Sequence, residues 1–311
     1  MRIVFIGSGE IGVPTLRALA EAEEHELLAV FTRPDRPAGR GLRPRPTPIK
    51  LAAGELNLKI LQPEDINSPE ALGWLRELAP EAIVVAAFGQ ILSGEVLRIP
   101  RWAINLHASL LPRYRGAAPI QWALIRGERK TGVTTFLMDE GMDTGPILLQ
   151  RGLEITEEDD AGTLEGKLAA LGAQLVLETL RGLERGTLEP RPQDHDQATY
   201  APKLGRELER LDWSRPAREL FNLVRALSPK PGAHTLFRDR RLKVYKVQAI
   251  ESETEPAAQP GELLGVGEGG PLVKTGVGLL ELLEVQPEGK RRMGGLDFAR
   301  GYRIERGERL G

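Results

Sequence analysis

The sequence predicts an α/β protein in which a doubly wound parallel sheet is followed by a second, smaller β-barrel domain. Three observations carry that expectation. Short aliphatic or β-branched runs alternate with amphipathic stretches over the first two-thirds of the chain, the pattern of a parallel sheet covered by helices. From Arg185 to Lys203 the texture turns polar and proline-bearing, with Gly186, Pro190, Pro192 and Pro202 and no apolar period, which reads as a linker. Beyond it, one helical stretch precedes β-rich runs separated by Gly and Pro clusters, as in a small barrel.

In chain order, the first strands are expected at residues 3–6, 27–31, 59–61 and 83–87, each short, aliphatic and followed by an amphipathic stretch. Further strands are expected at residues 103–106, 133–138 and 147–149, and a long helix over 163–184. After the linker, a helix over 215–226 leads into runs at 241–250 and 278–285. The resulting division is an N-terminal domain over residues 1–188, a linker over 189–205 and a C-terminal domain over 206–311. Each of the two domains is long enough to bury a core of its own.

Composition removes several function classes. The absence of cysteine excludes disulfides, thiolate nucleophiles and cysteine-based zinc sites. The histidines, His25, His107, His195 and His234, are too widely spaced for a metal-ligand pattern, so no metal is expected. No run approaches the roughly 20 apolar residues of a membrane span, and Met1 to Gly7 reads as a strand rather than a signal peptide. A cytoplasmic protein with no membrane partner is expected, and without a coiled coil or a conspicuous apolar helix, a monomer. The formal charge of -2 is unevenly spread, with the excess of basic residues lying after residue 204.

Gly7, Gly9 and Gly12 follow the first strand and open a helix, as a dinucleotide-binding fingerprint does. The second strand ends at Phe31-Thr32-Arg33 rather than on an acid, and an Arg suits the extra phosphate of NADP. An NADP-dependent oxidoreductase therefore stands as one reading, and a tight turn that needs glycine as the other.

A different constellation carries chemistry. Asn105 and His107 lie two apart at the end of a strand, so both project from one face, and strand ends are where open α/β sheets bind ligands. Asp143 follows in a glycine-flanked loop after the next strand. Each has an ordinary explanation alone: a cap, a packed ring, an Asx turn. Together, an amide donor, an imidazole and a carboxylate suit acyl or formyl transfer through a tetrahedral intermediate. The amide donates to the oxyanion, the histidine moves a proton near neutral pH and the carboxylate orients it.

Residues 105–116 read Asn-Leu-His-Ala-Ser-Leu-Leu-Pro-Arg-Tyr-Arg-Gly, and residues 139–145 read Asp-Glu-Gly-Met-Asp-Thr-Gly. These segments resemble the signature of the folate-dependent formyltransferase family. The resemblance implies a Rossmann-like formyltransferase core with an OB-like C-terminal barrel, and catalytic roles for Asn105, His107 and Asp143. It implies 10-formyltetrahydrofolate as donor, held by Ser109, Leu110, Leu111 and Pro112 and by the segment with Phe88, Gly89, Ile91 and Leu92. Family members differ in acceptor: methionyl-tRNA, glycinamide ribonucleotide or an amino sugar nucleotide.

The segment from Arg33 to Lys50 carries Arg33, Arg36, Arg40, Arg43, Arg45 and Lys50 against the single acid Asp35, a charge that suits a phosphate backbone. Its Pro-Asp-Arg-Pro-Ala-Gly-Arg-Gly stretch resembles the loop of those members that act on methionyl-tRNA and insert it at the acceptor stem. By that resemblance Arg36, Arg40 and Arg43 contact charged initiator tRNA. The segments at 211–214 and 286–293 resemble the same members, and basic residues around 238–243 and 290–292 offer a second phosphate-contacting surface.

Overall fold

The structure, a computed structural model, describes residues 1–38, 43–250 and 257–311. Two compact units emerge: residues 1–119, 130–154 and 165–202 form the first, and residues 120–129, 155–164 and 203–311 the second.

The first unit is built on a seven-stranded sheet. Its strands are β1 (Arg2–Gly7), β2 (Glu26–Phe31), β5 (Ile60–Leu61), β6 (Ala82–Ala86), β7 (Trp102–His107), β8 (Lys130–Leu137) and β9 (Ile147–Glu154). Their spatial order is β5-β2-β1-β6-β7-β8-β9. β3 (Arg36–Ala38) and β4 (Arg43–Arg45) pair separately as a small antiparallel ribbon, an element with no apolar period to announce it. The helices are α1 (Val13–Glu21), α2 (Pro48–Glu55), α3 (Pro69–Leu78) and α4 (Gly94–Leu97), and most of the long α6 (Ala161–Glu184). Thr47, Ser68 and Ser93 cap α2, α3 and α4 by accepting from backbone amides.

The five strands from β5 to β7 run parallel, as the alternation predicts. β8 and β9 reverse, each antiparallel to its neighbour. Their aliphatic character is the same in either direction; the connection sets the direction, and residues 138–146 join β8 to β9 as an antiparallel hairpin loop. Strands buried on both faces supply the core, including Val4, Ile6, Phe31, Ile83 and Val85.

Residues 185–202, legible only as a linker, run as a strap along the first unit. Arg191 exchanges backbone hydrogen bonds with Ile147 at 2.7 and 2.8 Å, and Arg115 does so with Thr199 and Ala201 at 2.8 and 2.7 Å.

The second unit holds α5 (Pro119–Ile125) except its first residue, α7 (Ala217–Leu227), strands β10 (Ala233–Phe237), β11 (Arg240–Ile250), β12 (Leu263–Val266), β13 (Pro271–Lys274), β14 (Leu279–Pro287) and β15 (Met293–Gly294), and α8 (Gly295–Tyr302). The antiparallel order is β10-β11-β14-β13-β12, with β15 on β14. The chain end closes it: Leu310 bridges Phe237 at the β10 edge while Arg309 bridges Glu262 beside β12. Leu220, Val224, Val244, Leu282 and Phe298 fill its interior. Among the described residues, no helix is long and apolar enough to cross a membrane.

Candidate active site

β7 is an inner strand whose backbone is held on both sides, so its side chains are fixed before any of them meets a ligand. Asn105 pairs in register with Val85 of β6 and Phe136 of β8, and His107 with Thr134 of β8. The side chain of Asn105 is half-buried and makes no hydrogen bond among the described residues. It lines a cavity of about 140 Å³ with Gln90, Ile91, Leu92, Phe136, Met138 and the residues from Asp139 to Asp143. At its rim Ile91 and Met142 are 75% and 59% exposed, large apolar side chains that water covers poorly.

His107 is almost fully buried, and the turn after β7 decides which of its nitrogens is free. Ser109 Oγ donates to the Arg113 carbonyl at 2.6 Å, and Thr134 Oγ1 donates to the Ser109 carbonyl at 2.6 Å. The turn delivers Tyr114 at φ 60°, left-handed for a non-glycine residue. The Tyr114 carbonyl oxygen lies 2.8 Å from His107 Nε2. A carbonyl only accepts, so Nε2 carries a hydrogen and Nδ1 is the nitrogen left to exchange one.

Nδ1 faces Asp143, whose Oδ2 is 3.6 Å away. Leu137 at the end of β8 pairs with Ile104, so the loop must run back along β7 to reach His107. Asp139 Oδ1 gathers it by accepting from Gly141 N at 3.0 Å and Thr144 Oγ1 at 2.6 Å. Gly145 is required by close approach, since a Cβ there would run into the Leu137 carbonyl oxygen. Asp143 itself sits at φ 54° and accepts from Gly116 N at 2.8 Å through the oxygen that faces the histidine.

The structure thus brings Asn105, Asp143, Ile91 and Leu92 together around one cavity, and His107 stands behind its lining, facing Asp143. It does not bring Ser109, Leu110, Leu111, Pro112, Phe88 or Gly89 to that lining. The Ser109 hydroxyl is spent on closing the turn, Leu111 packs with Phe136 and Ile147, and Phe88 is in the core. Gly89 lines a neighbouring crevice of about 500 Å³ with Ser8, Arg33, Arg36, Arg45, Thr47 and Gln90, and Gln90 borders both spaces.

Arg36 is exposed and paired with Glu64 at 2.7 Å. The Arg43 backbone pairs with Ala38, and Arg40 lies outside the described residues. Lys50 holds Asp35 at 2.9 Å, and that hydrogen bond, with a second from Gln62, keeps the Asp35 carboxyl below its ordinary range.

The glycine turn is explained by packing. The Ser8 and Gly9 amides both donate to the Ala87 carbonyl, at 3.3 and 3.2 Å, so they are not free to receive a pyrophosphate. A Cβ on Gly7 would lie 2.8 Å from the Ala86 carbonyl oxygen. Tyr114, Met142 and Gln193 also belong to this site: Tyr114 and Met142 lie inside the two motif segments, whereas Gln193 lies in the polar, proline-bearing stretch, where no period or motif marks it.

Residues 1–180 match the family described as Formyl transferase, and residues 203–303 match Formyl transferase, C-terminal domain. A methionyl-tRNA formyltransferase of Caldanaerobacter subterraneus subsp. tengcongensis is 47% identical over 310 residues, covering 99% of both chains. One from Solibacter usitatus is 47% identical over 312 residues, covering 100% of this chain and 99% of that one. Among solved structures, HypX from Aquifex aeolicus in complex with tetrahydrofolic acid superposes with a TM-score of 0.66 at 20% identity. The likeness, one of fold, covers 97% of this chain and 48% of HypX.

Proposed function

The chain belongs to the formyl transferase family, and from that premise we propose that it transfers the formyl group of 10-formyltetrahydrofolate to the α-amine of methionine carried by initiator tRNA. It is an enzyme of formyl transfer, and methionyl-tRNA is its acceptor. The observation that carries the acceptor is the end-to-end likeness to relatives named for it.

The donor supplies a formyl carbon bonded to an arylamine nitrogen. Leu92, Phe136 and Met138, with Ile91 and Met142 at the rim, offer apolar walls to its flat ring, and the polar groups of residues 139–143 offer an edge. Leu111 packs against Phe136 and Phe88 lies in one core cluster with Leu92, so both back that wall. Asn105 donates to the formyl oxygen as it gains charge, an interaction worth about 2.7–4 kcal/mol in oxyanion holes. His107 accepts the proton of the attacking amine at Nδ1, because Nε2 is engaged by Tyr114. The bond to methionine forms in that attack, and His107 returns the proton to the folate nitrogen as the tetrahedral intermediate collapses and the carbon–nitrogen bond to the folate breaks. Asp143 stabilises the imidazolium formed between the two transfers.

The crevice lined by Arg33, Arg36 and Arg45 takes the phosphates at the 3′ end of the acceptor, and by the sequence resemblance Arg40 and Arg43 contact the acceptor stem. Crevice and cavity meet at Gln90, which lets acceptor and donor approach Asn105 from two sides. The same reading has the enzyme act as a cytoplasmic monomer. Incubation with 10-formyltetrahydrofolate and charged initiator tRNA, followed by hydrolysis and detection of formylmethionine, tests it. Formylation of an amino sugar nucleotide or glycinamide ribonucleotide in preference to methionyl-tRNA would overturn it.

A further inference from the structure

We infer that Gln193, in the proline-bearing strap, is a positioning residue that sets the register of Asp143 against His107. Gln193 is 6% exposed, and its amide is fully used. Oε1 accepts from Arg115 Nη2 at 2.7 Å and Nε at 3.2 Å, while Nε2 donates to the Asp143 carbonyl at 2.9 Å and the Gly145 carbonyl at 2.7 Å. A guanidinium has only donors and a carbonyl only accepts, so the amide has one orientation and all four contacts depend on it.

The contacts fall on the two loop residues with the least freedom. Asp143 holds a left-handed backbone that side chains other than glycine disfavour. Gly145 abuts the Leu137 carbonyl. The Gln193 amide ties the two carbonyls together and so holds the loop in the conformation that turns the Asp143 carboxylate to His107. Arg115 anchors the amide in turn. It is 2% exposed, its backbone is bonded to Thr199 and Ala201, and its Nη2 also donates to His195 Nδ1 at 3.1 Å. The residue after Arg115, Gly116, donates to the Asp143 carboxylate itself. One buried arginine and one amide therefore fix both the backbone and the side chain of Asp143. At a separation of 3.6 Å, small movements of the loop decide whether carboxylate and imidazole engage.

The inference rests on Asp143 acting on His107, so D143N is run in parallel with Q193L and Q193E. Glutamate keeps an acceptor for Arg115 and preserves the anchor, but it removes the Nε2 donors. Both Gln193 variants are expected to lower kcat by roughly tenfold to a hundredfold, the scale of a misplaced catalytic group. KM for folate and tRNA should stay within about twofold, and in the uncharged variant Q193L the acid limb of the kcat/KM profile should move in the same direction as in D143N. If Q193L does not fold, Q193E decides alone. A Q193E enzyme with wild-type kcat, beside an impaired D143N, overturns the role of Gln193. A fully active D143N overturns instead the reading of Asp143 on which it stands.

Discussion

His107 Nε2 is committed to the Tyr114 carbonyl at 2.8 Å, so the imidazole exchanges its proton on the edge that Asp143 faces. In a serine-hydrolase triad the carboxylate and the reacting proton use opposite nitrogens of the ring. Here a backbone carbonyl does the orienting, and the carboxylate shares Nδ1 with the substrate. Replacing Asp143 by Asn removes the negative charge beside the imidazolium, which favours loss of its proton. The acid limb of kcat/KM should therefore move to lower pH in D143N; an unmoved limb with normal turnover would remove Asp143 from the proton path.

Asn105 has its side chain free to donate into the cavity. N105A should lower kcat by roughly 10²–10³, the cost of one oxyanion donor. H107A should lower it by about 10²–10⁴, the range of general acid–base catalysis. Single-turnover rates with both substrates saturating are the measurement, and near wild-type rates would end the assignment.

Gly145 meets the Leu137 carbonyl where a side chain would begin. G145A should destabilise the fold by roughly 1–3 kcal/mol and lower turnover along with it, because the carbonyl cannot move without breaking the hairpin. Chemical denaturation followed by circular dichroism reads the first effect. An unchanged midpoint would mean that the hairpin yields.

The Arg36–Glu64 pair is exposed, and pairs of that kind contribute about 0–1 kcal/mol. R36A should accordingly leave the melting temperature unchanged, raise KM for charged tRNA and leave KM for folate alone. The dependence of tRNA affinity on salt should become shallower by about 0.7–0.9 in log–log slope for each phosphate that the shortened side chain no longer neutralises. An unaltered slope would show that Arg36 serves only Glu64.

His234 is held below the ordinary histidine range, first by burial and then by the neighbouring Arg241 guanidinium. A lowered folded value means that the unfolded chain binds the proton more readily. His234 thus contributes stability that is complete above about pH 6.5 and declines as the pH falls through the folded value. Melting temperature should fall between pH 7.5 and pH 5 by less in H234N than in wild type. Identical losses would assign the effect to other groups, His25 first among them, since burial lowers it in the same sense.

Much of this was legible along the chain. Strands β1, β2, β6 and β7 announced themselves because an inner parallel strand must be apolar on both faces. Asn105 and His107 fell on one face by the two-residue period alone. The reversal at β8 was not legible, because apolar content carries no direction. The hairpin of β3 and β4 was hidden by its arginines and prolines, which read as a solvated loop. Among the expected donor contacts, Ile91 and Leu92 reach the cavity while Ser109 and Leu111 do not. A turn motif names the residues that shape a site without separating those that touch the ligand from those that hold the turn.

By itself the sequence determined the chemistry available: an amide, an imidazole and a carboxylate, no thiol, and a cationic loop beside them. Those properties belong to residue types and short spacings, which local reading recovers. Only the tertiary structure decided which nitrogen of His107 is free, that the loop after β8 doubles back to place Asp143, and that Gln193 is buried beneath it. These depend on hydrogen bonds to a strained backbone carbonyl and between residues tens of positions apart. Such contacts are chosen when the chain packs, and they leave no period in the sequence.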